Sequence, residues 1–314
     1  MPKNIYLPEG NLLYNDENRE YLSSISGLER ALKEGIILEA IATRCDNDFT
    51  LSVDLGEFTG TISREEAVYT YDEPIKDIAV ITRVGKPVCF KVMSIDYDTD
   101  ERVNITLSRR LAQLECAKNY LCDLTPGEII PAKITHLEQF GAFVDIGCGM
   151  ISLLSIDCIS VSRISHPKDR FFVGQDIKCV VKKNEESGRR IYVTHKELLG
   201  TWKENVSGFE IGQTVTGIVR SIEDYGIFVE LTPNLAGLAE YKQGIDVGQS
   251  VAVFIKNIIP ERMKIKLVLI DTYAVNQPTE RSDSEYYINE DTYHVYEWKY
   301  SPEESGKLIE TVFE

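Results

Sequence analysis

Residues 138–147 read Glu-Gln-Phe-Gly-Ala-Phe-Val-Asp-Ile-Gly, and residues 223–231 read Glu-Asp-Tyr-Gly-Ile-Phe-Val-Glu-Leu. Both spell aromatic-Gly-x-Phe-Val-acidic-aliphatic, with Phe140 answered by Tyr225 at an offset of 85 residues. Self-similarity at a fixed offset marks a repeated structural module. Gly127 and Gly212 keep the same offset, and each opens an alternating apolar run. A weaker copy, Phe-Thr-Leu-Ser-Val-Asp-Leu-Gly at 49–56, aligns through Val53 and Asp54 with Val144 and Asp145.

Each copy continues alike. A Gly-led apolar segment follows (Gly60, Gly149, Gly237), then a variable loop. A second glycine (Gly85, Gly174, Gly248) precedes another alternating run, and a last strand closes the unit. Short strands of period two with turn residues between them predict a small closed barrel. A glycine between two aromatics within a strand predicts a bulge that brings both rings to one face. Asp54, Asp145 and Glu230 hold one repeated position, and a carboxylate recurring in every module reads as structural or solvated rather than catalytic.

The chain is therefore read as mainly β, with three tandem barrels joined by short helices. Residues 1–34 form a helical lead-in, 35–110 a degenerate first barrel and 111–124 a linker helix. Residues 125–198 form the central barrel, 199–210 a second linker and 211–272 the third barrel. Residues 273–314 form an acidic aromatic tail. In the tail His294, Tyr296, Trp298 and Tyr300 alternate, and Lys307 to Phe313 alternates again, which predicts a hairpin.

Composition narrows the function. Apolar residues make up 43% of 314, enough to build cores. No apolar run approaches the ~18 residues of a membrane span, and the N-terminus lacks a signal-like stretch. A soluble cytoplasmic protein with no membrane partner is the expectation. Seven cysteines without Cys-x-x-Cys spacing and four scattered histidines predict neither a disulfide framework nor a metal site. No Walker loop, Gly-x-Ser-x-Gly or His-Glu-x-x-His occurs, so no enzyme, cofactor or small-molecule substrate is expected. The net charge of −16 is unevenly placed: residues 123–200 carry ten basic and ten acidic groups. Screening confines exposed charges to about 8 Å at physiological salt, so this neutral module can still present a phosphate-binding face.

These motifs resemble the RNA-binding repeat of bacterial ribosomal protein S-one, a five-stranded oligonucleotide-binding (OB) barrel. The resemblance spans roughly residues 35–272. It extends to the loop Ser162-Arg-Ile-Ser-His-Pro-Lys and to the linker Leu198-Leu-Gly-Thr-Trp-Lys-Glu. It implies single-stranded RNA across one barrel face. Two aromatics flank the strand-two glycine, a histidine follows in the Gly-led segment, an aspartate comes after strand four and an arginine opens strand five. In the central repeat those positions fall on Phe140, Phe143, Ser152, Asn184 and Arg190. In the third they fall on Tyr225, Phe228, Glu240, Pro260 and Lys264, and in the first on Phe49, Ser52, Ser63, Asp96 and Asn104.

Chemistry supports the same surface. An exposed aromatic stacks any base, at ~1–3 kcal/mol each. Lys133, Arg163, Lys168, Arg170, Lys182, Lys183, Arg189 and Arg190 are candidate phosphate contacts, with His166 in a nearby loop. Against this stand two plainer readings: Phe140 and Phe143 as core residues, and the basic cluster as a solvated face interrupted by Glu185 and Glu186. The function expected is single-stranded RNA binding in translation or messenger handling. The alternative is a scaffold docking on the ribosome or on RNA-processing proteins.

Overall fold

The computed structural model describes residues 6–71, 73–97, 103–273, 286–289 and 291–314. Two helices lead in: α1, Asp16–Leu22, and α2, Ile25–Glu34. Ser24 caps α2 by accepting from the Gly27 N–H at 3.1 Å, and Gly35, in the left-handed region, ends it. Barrel one follows, with β1 Leu38–Cys45, β2 Leu51–Asp54, β3 Thr59–Ile62, the short α3 Asp77–Ile81, β4 Pro87–Tyr97 and β5 Val103–Ser108. Helix α4, Arg109–Asn119, is capped by Ser108 and connects to barrel two. That barrel contains β6 Ile129–Glu138, β7 Gly141–Asp145, β8 Ile151–Ser155, β9 Asp176–Glu185 and β10 Arg190–Thr194. Helix α5, Trp202–Val206, leads to barrel three: β11 Thr214–Glu223, β12 Gly226–Thr232, β13 Leu235–Ala239, β14 Ser250–Ile259 and β15 Lys264–Thr272. All three sheets close, each with its third and fifth strands paired in parallel.

Alternation drives the closure. Val53, Phe90 and Leu107 fill barrel one, Ile134, Val144 and Val181 barrel two, and Val219, Val229 and Val253 barrel three. Each such buried side chain contributes ~1.5–3 kcal/mol.

The aromatic-Gly-x-aromatic motif is built differently from the predicted bulge. Glu138 pairs with Gly141 and Glu223 with Gly226, so Phe140 and Tyr225 sit in two-residue hairpin turns ahead of the glycine. The bulge lies in the opposite strand, between Ile134 and His136 and between Val219 and Ser221. The glycine serves close approach instead. A Cβ on Gly141 would lie 2.5 Å from the Leu154 carbonyl oxygen, and one on Gly226 equally near that of Ala239.

The repeated acidic residue is the joint between modules. Asp145 is 2% exposed at the end of β7. Its Oδ2 accepts from the Glu9 N–H (2.7 Å), and its Oδ1 from Gly147 (2.9 Å) and Gly149 (3.0 Å). Glu9 in turn receives Arg109 on both oxygens (2.6 and 3.0 Å), Arg83 at 3.4 Å and the Cys89 N–H at 3.1 Å. Lead-in, barrel one and α4 thus converge on barrel two. Burial, then the Glu9 charge, raises the Asp145 carboxyl to about 7. Against burial, Arg109 and Arg83 hold Glu9 below its ordinary value. In barrel three Glu230 takes the same role, bound by Arg170 of barrel two (2.8 Å for Nη1) and by its own Arg220 (2.8 and 3.0 Å). Asp54, by contrast, is exposed, and its Oδ1 accepts from the Gly56 N–H at 2.9 Å.

The tail forms the expected hairpin, β16 Glu297–Lys299 with β17 Glu310–Val312. It bridges two barrels. Trp298 and Tyr300 join the barrel-three core, Phe313 packs with Val180 and Leu198, and Val295 donates to the Gly127 carbonyl at 2.8 Å.

Arg109→Ala would leave Glu9 buried with its main partner gone, a loss of ~3–5 kcal/mol. The more exposed Arg110, paired with Glu66, is expected to cost ~1 kcal/mol or less when replaced by alanine. Urea unfolding of both variants checks this; equal losses would remove the Glu9 joint from its proposed place in stability.

Candidate nucleic-acid interface

Strand pairing sets one outward row of side chains across each barrel. In barrel two His136 is opposite Phe143, Phe143 opposite Leu153, Leu153 beside Tyr192 and Tyr192 opposite Lys183. None of the five is buried. The rings are organised: His136 lies near-parallel to Phe143 with centroids 6.2 Å apart, and Phe140 meets Phe143 edge-on at 6.0 Å. Phe140 is 55% exposed and Tyr192 38%. The result is a stepped aromatic surface, of the kind on which unpaired bases stack.

The equivalent row in barrel three is Ser221, Phe228, Leu238, Lys266 and Asn257. Tyr225, 70% exposed, meets Phe228 edge-on at 6.1 Å, reproducing the turn pair but without partners for His136 and Tyr192. Barrel one presents Arg44, Ser52, Thr61, Thr106 and Ser94, with no ring in the row. Phe49 packs partly into that barrel's core, with Arg64 over its ring.

These registers correct the sequence assignments in the Gly-led segment. The residue opposite Phe143 is Leu153, not Ser152, which is 3% exposed and donates from Oγ to the Ile191 carbonyl at 2.7 Å. Likewise Leu238, not Glu240, is opposite Phe228, and Thr61, not Ser63, is opposite Ser52. Glu240 is exposed just past β13.

The remaining candidates divide by what they touch. Asn184 gives both amide hydrogens to the Leu121 and Leu124 carbonyls (2.9 and 2.8 Å) and accepts from the Gly188 N–H, so it fastens the linker rather than facing solvent. Lys133 is largely buried against Asp176 at 3.1 Å. Arg170 is committed to Glu230. His166 caps a short 3-10 turn, its Nδ1 accepting from the Lys168 N–H at 3.1 Å. Lys183 pairs with Glu185 at the end of the row. Lys182 is exposed and touches the Cys158 sulfur at 3.3 Å. Arg190 and Lys264 are exposed at the starts of their closing strands, and Arg163 is exposed without an ion pair among the described residues. Sequence reasoning missed Tyr192, His136 and Leu153. The signal was present in the Arg190-Ile-Tyr-Val-Thr alternation, which places Tyr192 outward, on the same side as Arg190.

Among the described residues no group of His, Cys, Asp and Glu is arranged to hold a metal, and no helix is long and apolar enough to cross a membrane. The cysteines are unpaired.

Three closed five-stranded barrels in tandem, two of them carrying paired turn and strand aromatics, define an OB-type architecture. Residues 123–196 match the family described as S1 RNA binding domain. That match falls on the central barrel and its flanking residues. It is 28% identical over 229 residues to small ribosomal subunit protein bS1 of Rickettsia conorii, covering 65% of this chain and 39% of that protein. It is 28% identical over 290 residues to bS1 of Staphylococcus aureus, covering 87% of this chain and 71% of that one. A multidomain protein with nucleic acid binding domains from Streptococcus pneumoniae aligns over 75% of this chain and 73% of its own, at 14% identity and a TM-score of 0.24.

If the turn aromatics are surface platforms, removing them leaves the fold intact. Phe140→Ala and Tyr225→Ala are expected to change stability by ~1 kcal/mol or less. Phe90→Ala in the barrel-one core is expected to cost ~3–5 kcal/mol. Thermal or urea unfolding decides; a core-sized loss at Phe140 would return it to packing.

Proposed function

We propose that this chain binds single-stranded RNA, with barrel two as the principal site, and works on messenger RNA in translation, in the cytoplasm and in association with the ribosome. The observation that carries this is the row His136–Phe143–Leu153–Tyr192–Lys183 with Phe140 stepping off its end. Three rings and an aliphatic surface offer π-faces to successive unpaired bases, and Lys182, Lys183 and Arg190 border the row for phosphates. The RNA-binding-domain family of the central barrel and the ribosomal relatives support the same reading. The chemistry asked of the site is binding: the buried carboxylates Glu9 and Glu230 are held in ion pairs at joints, away from the row. Barrel one, whose row has hydroxyls in place of rings, favours a docking part within this function, toward the ribosome or RNA-processing proteins.

Barrel three is auxiliary, because its row retains one ring where barrel two has three. Joined through the α5 linker, it meets RNA already held by barrel two at an effective concentration that reaches about mM. Phe140→Ala with Phe143→Ala is expected to weaken single-stranded RNA binding by ~2–4 kcal/mol. Tyr225→Ala with Phe228→Ala is expected to cost less, and chiefly on RNA long enough to reach both barrels. A blunt duplex of equal length is expected to bind far more weakly than the single strand. Titration of labelled RNAs onto folded variants checks all three, and a larger loss from the barrel-three pair would reverse the ranking.

A further inference from the structure

Between barrels one and two lies a cleft of about 340 Å³, lined by Thr70, Pro74 and Lys76 of the β3–β4 connection and by Arg189 and Arg190 of the β9–β10 hairpin. The aromatic row leads directly to it. Arg190 and Tyr192 point outward from the same strand, two residues or ~7 Å apart. The charge is arranged for an anion. Among the described residues Lys76 is exposed with no ion pair, and Arg190 has only the long contact to Glu186 at 3.9 Å. Arg189 is paired with Glu73 at 3.0 Å on the rim and lies 3.8 Å from Glu186.

The two walls are fixed to one another. The Tyr71 hydroxyl donates to the Gly188 carbonyl at 3.1 Å, Arg189 lies over the Tyr71 ring at 5.8 Å, and Tyr69 packs on Tyr71 with centroids 4.6 Å apart. Tyr71 holds a left-handed backbone (φ 49°), a conformation uncommon for a non-glycine residue. The loop is thus seated on the barrel-two hairpin, and the cleft does not depend on a chance approach of two mobile segments.

We propose that the phosphodiester backbone of single-stranded RNA leaving the barrel-two row runs into this cleft and is held there by Arg190, Arg189 and Lys76. The proposal rests on the RNA-binding reading of barrel two and extends it: barrel one contributes through its β3–β4 loop, not through its own ring-less face. Guanidinium groups pair with phosphate oxygens in bidentate fashion, and the ammonium of Lys76 adds a point charge on the opposite wall.

The test uses the full chain and single-stranded oligouridylates of about four and about twelve nucleotides, near the ends of the range one OB barrel covers. Lys76→Glu is expected to weaken the longer RNA about tenfold and to flatten its log-affinity against log-salt slope by about 0.7. It is expected to leave the shorter RNA within twofold. Lys307→Glu, the same charge change in the tail hairpin, is expected to leave both within twofold. A terminal 4-thiouridine on the longer RNA is expected to crosslink, from one of its two ends, to the peptide carrying residues 69–79. If Lys76→Glu changes nothing, or Lys307→Glu weakens binding as much, the cleft is not on the RNA path. If Phe140→Ala with Phe143→Ala weakens neither RNA, the underlying reading of barrel two fails instead.

Discussion

The architecture depends on a buried carboxylate at the end of the second strand. A barrel alone hides its core but leaves its ends to be covered. Asp145 and Glu230 turn that end into a socket for the preceding module: backbone N–H groups and Glu9 at one joint, Arg170 at the other. Ionised or strongly polar groups in such a place are tolerated only when fully partnered, which ties the orientation of the modules to the hydrogen bonds at the joint. The Glu9–Asp145 joint ties barrel one to barrel two, and the Tyr71–Gly188 contact fixes the two walls of the cleft at Arg190.

Within a barrel the binding surface follows from pairing geometry. Alternation sends Val144 and Leu154 inward and Phe143 and Leu153 outward. Register then aligns the outward residues of five strands into one row. The glycine at the strand-two start lets the next strand's carbonyl approach, and the turn before it places the first aromatic beyond the sheet edge. Phe140 and Phe143 meet edge-on because one belongs to a turn and the other to a strand.

Much of this was legible from the residues. The repeat offset, the apolar alternation and the turn glycines determine three barrels, and the tail hairpin follows from its alternating aromatics. What was not legible is register. Glycine bulges and turns shift pairing by one or two residues without altering composition, which is how Ser152 and Glu240 were placed where Leu153 and Leu238 stand. The same one-residue ambiguity moved the bulge from the glycine to the opposite strand. Basic residues were legible as a cluster but not as partners: Lys133 and Arg170 belong to Asp176 and Glu230, groups distant in sequence or in another module. Tyr192 needed the parallel pairing of β8 with β10 to be seen beside Leu153.

The central claim is that RNA lies on the aromatic row of barrel two. The chain's two tryptophans, Trp202 and Trp298, are both buried, so an indole placed at position 140 reports on that surface alone. The most direct measurement is the fluorescence of Phe140→Trp during titration with single-stranded RNA at physiological salt. Stacking on the row predicts saturable quenching of the solvent-exposed indole that tracks binding and is absent with a duplex of the same length. Full binding of the single strand with no change in that indole would contradict the account and move the RNA to another face.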